Sequence, residues 1–412
     1  MAGRTVAHRR PALVRVAASL AAAGLVTVGC AGDGRDDTAA RPTAPGESTT
    51  RPPDTGPASP STTPATTSPS PRAPAPPEAS PPASSRTSPS PPAPAPVTLA
   101  FAGDIHFEGE LRARLDDPAD ALAPAKPALS AADLTVANLE TSIGDSGRPA
   151  ADKRYTFQAP PSALRALASA GVDVATMANN HGLDFGAAGL ADTLAAADDA
   201  RTGEPAIDVV GIGRDTDDAF APALHEVGGT TVAVLGASLP DDPTADPTAH
   251  WAATASSGGV AVALDPARLL AAVRHARDTA DVVAVYLHWG VQGERCPSDS
   301  QRDLASALAG AGADVVVGSH AHRLQGAGTL DGTYVAYGLG NFAWYTQSPT
   351  TSPTGVLTVT ADGTGVTDAT WTPARIGSDG LPDFVTGADA EQMSGDFASL
   401  RSCTDLRPLP DR

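Results

Sequence analysis

The chain has 412 residues, 47 of them acidic and 28 basic, for a formal net charge of −19. That balance argues against nucleic acid as a partner, and it would repel a polyanionic substrate unless bound cations reverse the field locally. Roughly the first quarter has the composition of a leader plus a disordered linker, so the folded part must lie in the remainder.

Arg4, Arg9, Arg10 and Arg15 precede an apolar run from Val16 to Val28. This is the layout of an export signal, too short to span a bilayer comfortably as a mature helix. The run ends at Val28-Gly29-Cys30, which is similar to a bacterial lipobox, with Thr27 where leucine is usual. Lipidation of Cys30 would tether the mature protein to the membrane's extracytoplasmic face; the alternative is an ordinary cleaved signal and a secreted product. Residues 1–30 are therefore read as a lipoprotein-type signal peptide, with the Sec and twin-arginine routes both open. Residues 31–96 are rich in Pro, Ser, Thr and Ala. Such a segment cannot offset its ordering entropy and reads as a disordered, stiffish linker.

From residue 97 onward, short apolar runs alternate with alanine-rich segments of helical spacing. Strands are predicted at residues 97–101, 134–137, 172–177, 208–211, 231–235, 281–287 and 314–317, and helices at 161–170, 187–197, 266–279 and 301–310. This alternation predicts an α/β domain over 97–372 with a largely buried sheet. Three strands without helices, at 333–337, 355–360 and 365–371, close the domain, and residues 373–412 read as a loosely structured tail. The long polar loop from Leu239 to Gly259 carries His250-Trp251 and is either a lid or a surface insertion. Once Cys30 is set aside, Cys296 and Cys403 remain, to pair in an oxidising compartment or to stand as unrelated thiols.

Five clusters sit where apolar runs stop: Asp104 with His106, Glu140, Asn180 with His181, His288, and His320 with His322. In open α/β sheets, ligands bind beyond the carboxyl ends of the strands, and every cluster falls there. Carboxylates, an amide oxygen and imidazoles are the donors that two divalent ions such as Mn²⁺, Fe or Zn²⁺ need. Glu140 is the candidate bridging acid, His181 the candidate proton donor and Asp184 the group that would orient its imidazole. Arg154 and Arg323 either contact an anionic substrate or are solvated surface residues.

Gly103-Asp104-Ile105-His106, Asn180-His181, His288 and Gly318-Ser319-His320-Ala321-His322 together resemble the motifs of the calcineurin-like metallophosphoesterase superfamily. More narrowly, Asn138-Leu139-Glu140, Ala178 to Gly186, His288-Trp289-Gly290, His320 to Gln325 and Leu339 to Phe342 resemble the CapA branch, the bacterial capsule or poly-γ-glutamate synthesis family (PGA_cap). The resemblance covers residues 97 to 372, with the motifs in order. It implies a metallophosphoesterase-like four-layer αββα sandwich of two mixed sheets flanked by helices. It also implies one metal site of Asp104, His106, Glu140 and His322 and a second of Glu140, Asn180, His288 and His320. His181 takes the acid position. The function implied is extracytoplasmic poly-γ-glutamate or capsule synthesis or export, as a dinuclear-metal hydrolase of a phosphoester or anionic polymer. The alternative is a non-catalytic scaffold among capsule-export membrane proteins. The sequence departs from the branch at Gln292, where an acid is usual, and at Ser319 and Ala321, where a histidine and a proline are usual.

Overall fold

The structure is a computed structural model that describes residues 95–151, 153–242, 246–345 and 348–410. The export signal, Cys30 and the linker as far as residue 94 lie outside the described residues.

The first sheet has eight strands. Its parallel half is β1 (Val97–Ile105), β2 (Leu134–Leu139), β3 (Val174–Thr176) and β4 (Asp208–Val210), side by side in that order. The second sheet has six strands, centred on β5 (Thr230–Leu239), β6 (Val282–Trp289) and β7 (Val315–His320), which are also parallel. Chain beyond residue 340 returns to the first sheet. There β8 (Asn341–Ala343) lies parallel to β1, and β9 (Pro353–Asp362), β10 (Gly365–Ile376) and β11 (Pro382–Phe384) extend it antiparallel. The second sheet is mixed too, because Ala223–Val227 pairs antiparallel with β5 and Ala327–Leu330 pairs antiparallel with Thr333–Ala336.

Alternation along the strands explains why the layers stack. Leu99, Phe101, Val136 and Val174 face Val232, Val234, Tyr286 and Val317 in one core between the sheets. The intervening Ala100, Ala102, Ala137 and Ala175 face outward onto Leu164 and Leu167 of α1 (Ser162–Ala170) and Leu190 of α2 (Gly186–Arg201). On the far side, Val283, Val285 and Leu287 meet Leu269 and Val273 of α3 (Ala267–Arg277) and Leu304 and Leu308 of α4 (Asp299–Ala311). The result is the predicted four-layer αββα order. Ser298 starts α4 with a capping box closed by Gln301, and Gly312 ends it in the left-handed conformation, as capping chemistry requires.

The expectation of a loose tail over 373–412 is corrected. β10 continues to Ile376, β11 pairs with it, and α5 (Ala388–Ser399) buries Met393 and Phe397. Trp371 stacks on Phe397 with ring centroids 4.4 Å apart. The tail carries few apolar residues in sequence, yet those few sit on one helix face and find a partner on the sheet. Cys296 and Cys403 form a disulfide with Cα atoms 5.7 Å apart, closing a span of 107 residues. No helix among the described residues is long and apolar enough to cross a membrane.

Candidate metal centre

The parallel strands end together, and their ends carry the site. Asp104 on β1 is in register with Asn138 on β2, and Trp289 on β6 with His320 on β7. Asn138 donates to Asp104 Oδ1 at 2.8 Å, and Asn179 donates to Asn138 Oδ1 at 3.0 Å and to the Leu139 carbonyl at 2.8 Å. The Asn179 side chain also accepts the His181 amide at 3.0 Å. These two asparagines hold the backbone that presents Asp104, Asn180 and His181.

Six of the seven residues read as ligands lie against one another. His288 Nε2 lies 2.8 Å from Asn180 Oδ1 and 3.8 Å from Glu140 Oε1, and its Nδ1 lies 3.8 Å from Asp104 Oδ1. His320 Nδ1 lies 3.0 Å from His288 Nε2, and His322 Nδ1 lies 3.2 Å from Asp104 Oδ2. Asp104, Glu140 and His288 by themselves form a buried group with ligand atoms close enough to share one ion. His106 is buried against Phe157, Trp344 and Tyr345, and its Nδ1 accepts the Glu108 amide at 2.9 Å.

Buried polar atoms ordinarily find partners. Here both Glu140 carboxylate oxygens, His106 Nε2 and His320 Nε2 are buried with no hydrogen-bond partner among the described residues. Burial, then the neighbouring Asp104, pushes the Glu140 carboxyl well above its ordinary range. Burial, then neighbouring imidazoles, holds His106 and His288 well below theirs. Buried imidazole and carboxylate atoms left without partners fit divalent cations.

Backbone strain marks the same place. His320 (φ 93°) and His322 (φ 53°) both adopt the left-handed region, which costs a non-glycine residue on the order of 1–3 kcal/mol. The turn around them is held by neighbours. Gly293 donates to the Ala321 carbonyl at 2.8 Å, and Asn341 Oδ1 meets His322 Nδ1 at 2.7 Å. Gly103 packs so closely on this region that a Cβ there would sit 2.0 Å from the Gly340 carbonyl oxygen.

His181 lies beside the ligand cluster, with Nε2 3.6 Å from Glu140 Oε1. Its Nδ1 is 2.5 Å from Asp184 Oδ2, the orienting contact expected of Asp184. Phe157 stacks on the imidazole at 3.9 Å with the planes 9° apart, and its amide donates to Asp184 Oδ2 at 2.7 Å. Burial lowers the His181 imidazole to about 4, opposed by Asp184 and reinforced by Lys153.

Lys153 is the functional residue that sequence reasoning missed. Its ammonium sits 2.5 Å from Asp184 Oδ1 and 3.3 Å from His181 Nδ1, and it also donates to the Asn180 carbonyl. Trp251 lies over it, 5.2 Å from ring centroid to ammonium, so the polar loop around Trp251 reaches the site. A sequence signal existed: Lys153 is one of only two lysines in a chain that otherwise uses arginine. Asp242 was also missed. It accepts the Gln292 amide, and its charge acts on His320.

A cleft of about 750 Å³ opens over His181, His320 and His322. Arg154 and Arg323 both line it, so the structure brings them to the site mouth and not to remote surface.

The sequence model of the family described as bacterial capsule synthesis protein PGA_cap matches residues 98–346. The chain belongs to this family. Among curated relatives, the PGA biosynthesis protein CapA of Bacillus subtilis (strain 168) is 33% identical over 221 residues, covering 53% of this chain and 55% of that protein. The capsule biosynthesis protein CapA of Bacillus anthracis is 33% identical over 198 residues, covering 47% and 45%. The PGA_cap chain thus spans about half the length of the curated relatives it matches. Among solved structures, a novel phosphatase of Mycoplasma pneumoniae aligns with TM-score 0.43 and 14% identity over 68% of this chain and 94% of that one. A hypothetical protein from Thermus thermophilus aligns with TM-score 0.41 and 16% identity over 68% and 99%.

Proposed function

We propose that this PGA_cap protein is an extracytoplasmic, dinuclear-metal hydrolase that acts on a phosphoester or an anionic polymer during capsule or poly-γ-glutamate synthesis. The observation that carries the reading is the ring of unpartnered buried donors around Glu140, with a histidine–aspartate pair at its rim. Asp104, His106, Glu140 and His322 would hold one divalent ion, and Glu140, Asn180, His288 and His320 the other. Such ions would supply the Lewis acidity that polarises a phosphoryl or carbonyl oxygen and makes water a usable nucleophile at neutral pH.

The protein's own groups do the rest. Asp184 fixes the His181 ring through Nδ1 and Phe157 fixes its plane, so Nε2 is the atom that exchanges a proton with the leaving oxygen. Lys153 neutralises Asp184, which keeps that carboxylate from accumulating charge beneath the substrate. Arg154 and Arg323 would orient the anion, while Trp344 and Tyr345 wall the cleft. Capsule-synthesis membrane proteins are the partners this role needs. The Cys296–Cys403 disulfide supports export, because such bridges persist in oxidising compartments; a lipid on Cys30 would then supply the membrane anchor.

The test is His181→Ala. Turnover of a phosphodiester or polymer should fall by ~10²–10⁴-fold while elemental analysis still finds bound metal. Full activity after that change would end the assignment, and a purified wild-type protein that binds no divalent metal would favour the scaffold instead.

A further inference from the structure

A second groove, of about 440 Å³, continues from the cleft, and Arg323 and Thr350 line both. Arg295 and Arg375 stand along it, with Asp396 the one acid on its walls among the described residues. Adding Arg154 from the cleft gives four arginines along one continuous depression. Among the described residues, no carboxylate lines the mouth of the cleft; Asp104 and Glu140 lie buried beneath it. In a chain with 47 acidic and 28 basic residues, this reverses the overall sign.

The arginines are available. Among the described residues, Arg154, Arg295, Arg323 and Arg375 form no ion pair. Arg323 spends one donor on the Gly293 carbonyl at 3.3 Å and lines both the cleft and the groove. The walls are also fixed. Arg295 adjoins Cys296, whose disulfide ties its loop to the segment after α5, and α5 supplies Met393, Phe397 and Ser399 to the opposite wall.

We infer that this groove is the outer part of an extended binding track, which holds a linear polyanion while one of its bonds, or its terminus, lies over the metal centre. The inference rests on the proposed site but reaches beyond it, because a compact phosphoester would occupy the cleft alone. Guanidinium groups spaced along a groove match anionic groups repeated along a chain. The groove suits a polymer without bases. Phe397, the one aromatic on its walls among the described residues, is already stacked on Trp371, so no free ring there would stack a nucleobase.

The experiment measures equilibrium binding of short and long chains of poly-γ-glutamate and of polyphosphate, with single-stranded RNA as a third arm, on the full chain and on R295E/R375E. Both substituted residues are exposed. Wild type should bind long chains more tightly than short ones. In R295E/R375E the long-chain affinity should drop about ten-fold or more, with a flatter salt dependence, while short-chain affinity changes less than about two-fold. R295K/R375K should restore most of the gain. Either polymer showing the loss supports the track, and the larger loss names its charged group. Unchanged long-chain affinity in R295E/R375E, or RNA binding more tightly than both baseless polymers, overturns it. Binding is read without turnover, so a failed hydrolase assay leaves the track standing, and a retained length gain removes the track with hydrolysis intact.

Discussion

The His320 amide donates to Asp104 Oδ2 at 3.2 Å across 216 residues of sequence. One carboxylate therefore joins the last residue of β7 to the end of β1, and the two sheets share a ligand-bearing edge. Asp104→Asn keeps the shape and removes the charge. We expect metal content to fall below that of wild type in elemental analysis and hydrolysis to fall by at least ~10²-fold, since metal-site substitutions cost that much when a charged ligand is lost. Undiminished metal would show that Asp104 serves the fold only.

Lys153→Met leaves Asp184 charged and buried without its cation. Removing one partner of a buried pair typically destabilises by about 3–5 kcal/mol, and the Lys153 side chain is only 7% exposed. Denaturant unfolding of the variant should register most of that loss. The paired change Lys153→Met with Asp184→Asn should recover stability without recovering turnover, because His181 then lacks its orienting carboxylate.

Metal and pH should act together on stability. Burial holds His181 and His320 at about 4, against about 6.5 for unfolded histidine. Between those values the unfolded chain binds more protons, so the histidine contribution is present above pH 6.5 and is lost as pH falls towards 4. Glu140 runs the opposite way: its raised pKa gives stability at low pH that disappears as pH rises. A divalent ion held by Glu140 and the imidazoles would remove the Glu140 cost and compete with protons for the rings. The rise in melting temperature on adding Mn²⁺ to chelator-stripped protein should therefore be larger at pH 7.5 than at pH 5. An equal rise at both would place the ion elsewhere.

Reducing the Cys296–Cys403 bridge, or replacing both cysteines with serine, opens a span of 107 residues. Disulfides typically contribute about 2–4 kcal/mol, and long spans lie at the upper end. Melting temperature should drop, and amide exchange should rise first at the 291–296 loop and at Leu400–Cys403, the segments the bridge joins.

Much of the site was legible because metal chemistry constrains residue type. Acid, amide and imidazole donors each had to follow an apolar run, and those runs are visible as strands. The four layers were legible from the alternation of strands and helices. What stayed hidden was contact across the fold. Lys153 looks like any surface cation until Asp184 and His181 close on it. Asn138 and Asn179 look like loop residues until they are seen holding Asp104 and the His181 amide. The tail looked loose because Met393 and Phe397 are sparse; only contact with Trp371 on β10 shows where Phe397 goes. Arg295 and Arg375 gain meaning from sharing a wall, and their separation of 80 positions conceals that.

Gly103 contributes no side chain, yet the oxygen of Gly340 occupies the space where its first carbon would be. Alanine at this position would have to push aside the turn leading into Asn341, the residue that meets His322. Inactivating changes in this protein can thus arise from one added methyl group at a position with no ligand, charge or proton of its own. A search for lesions confined to titratable residues would pass over it.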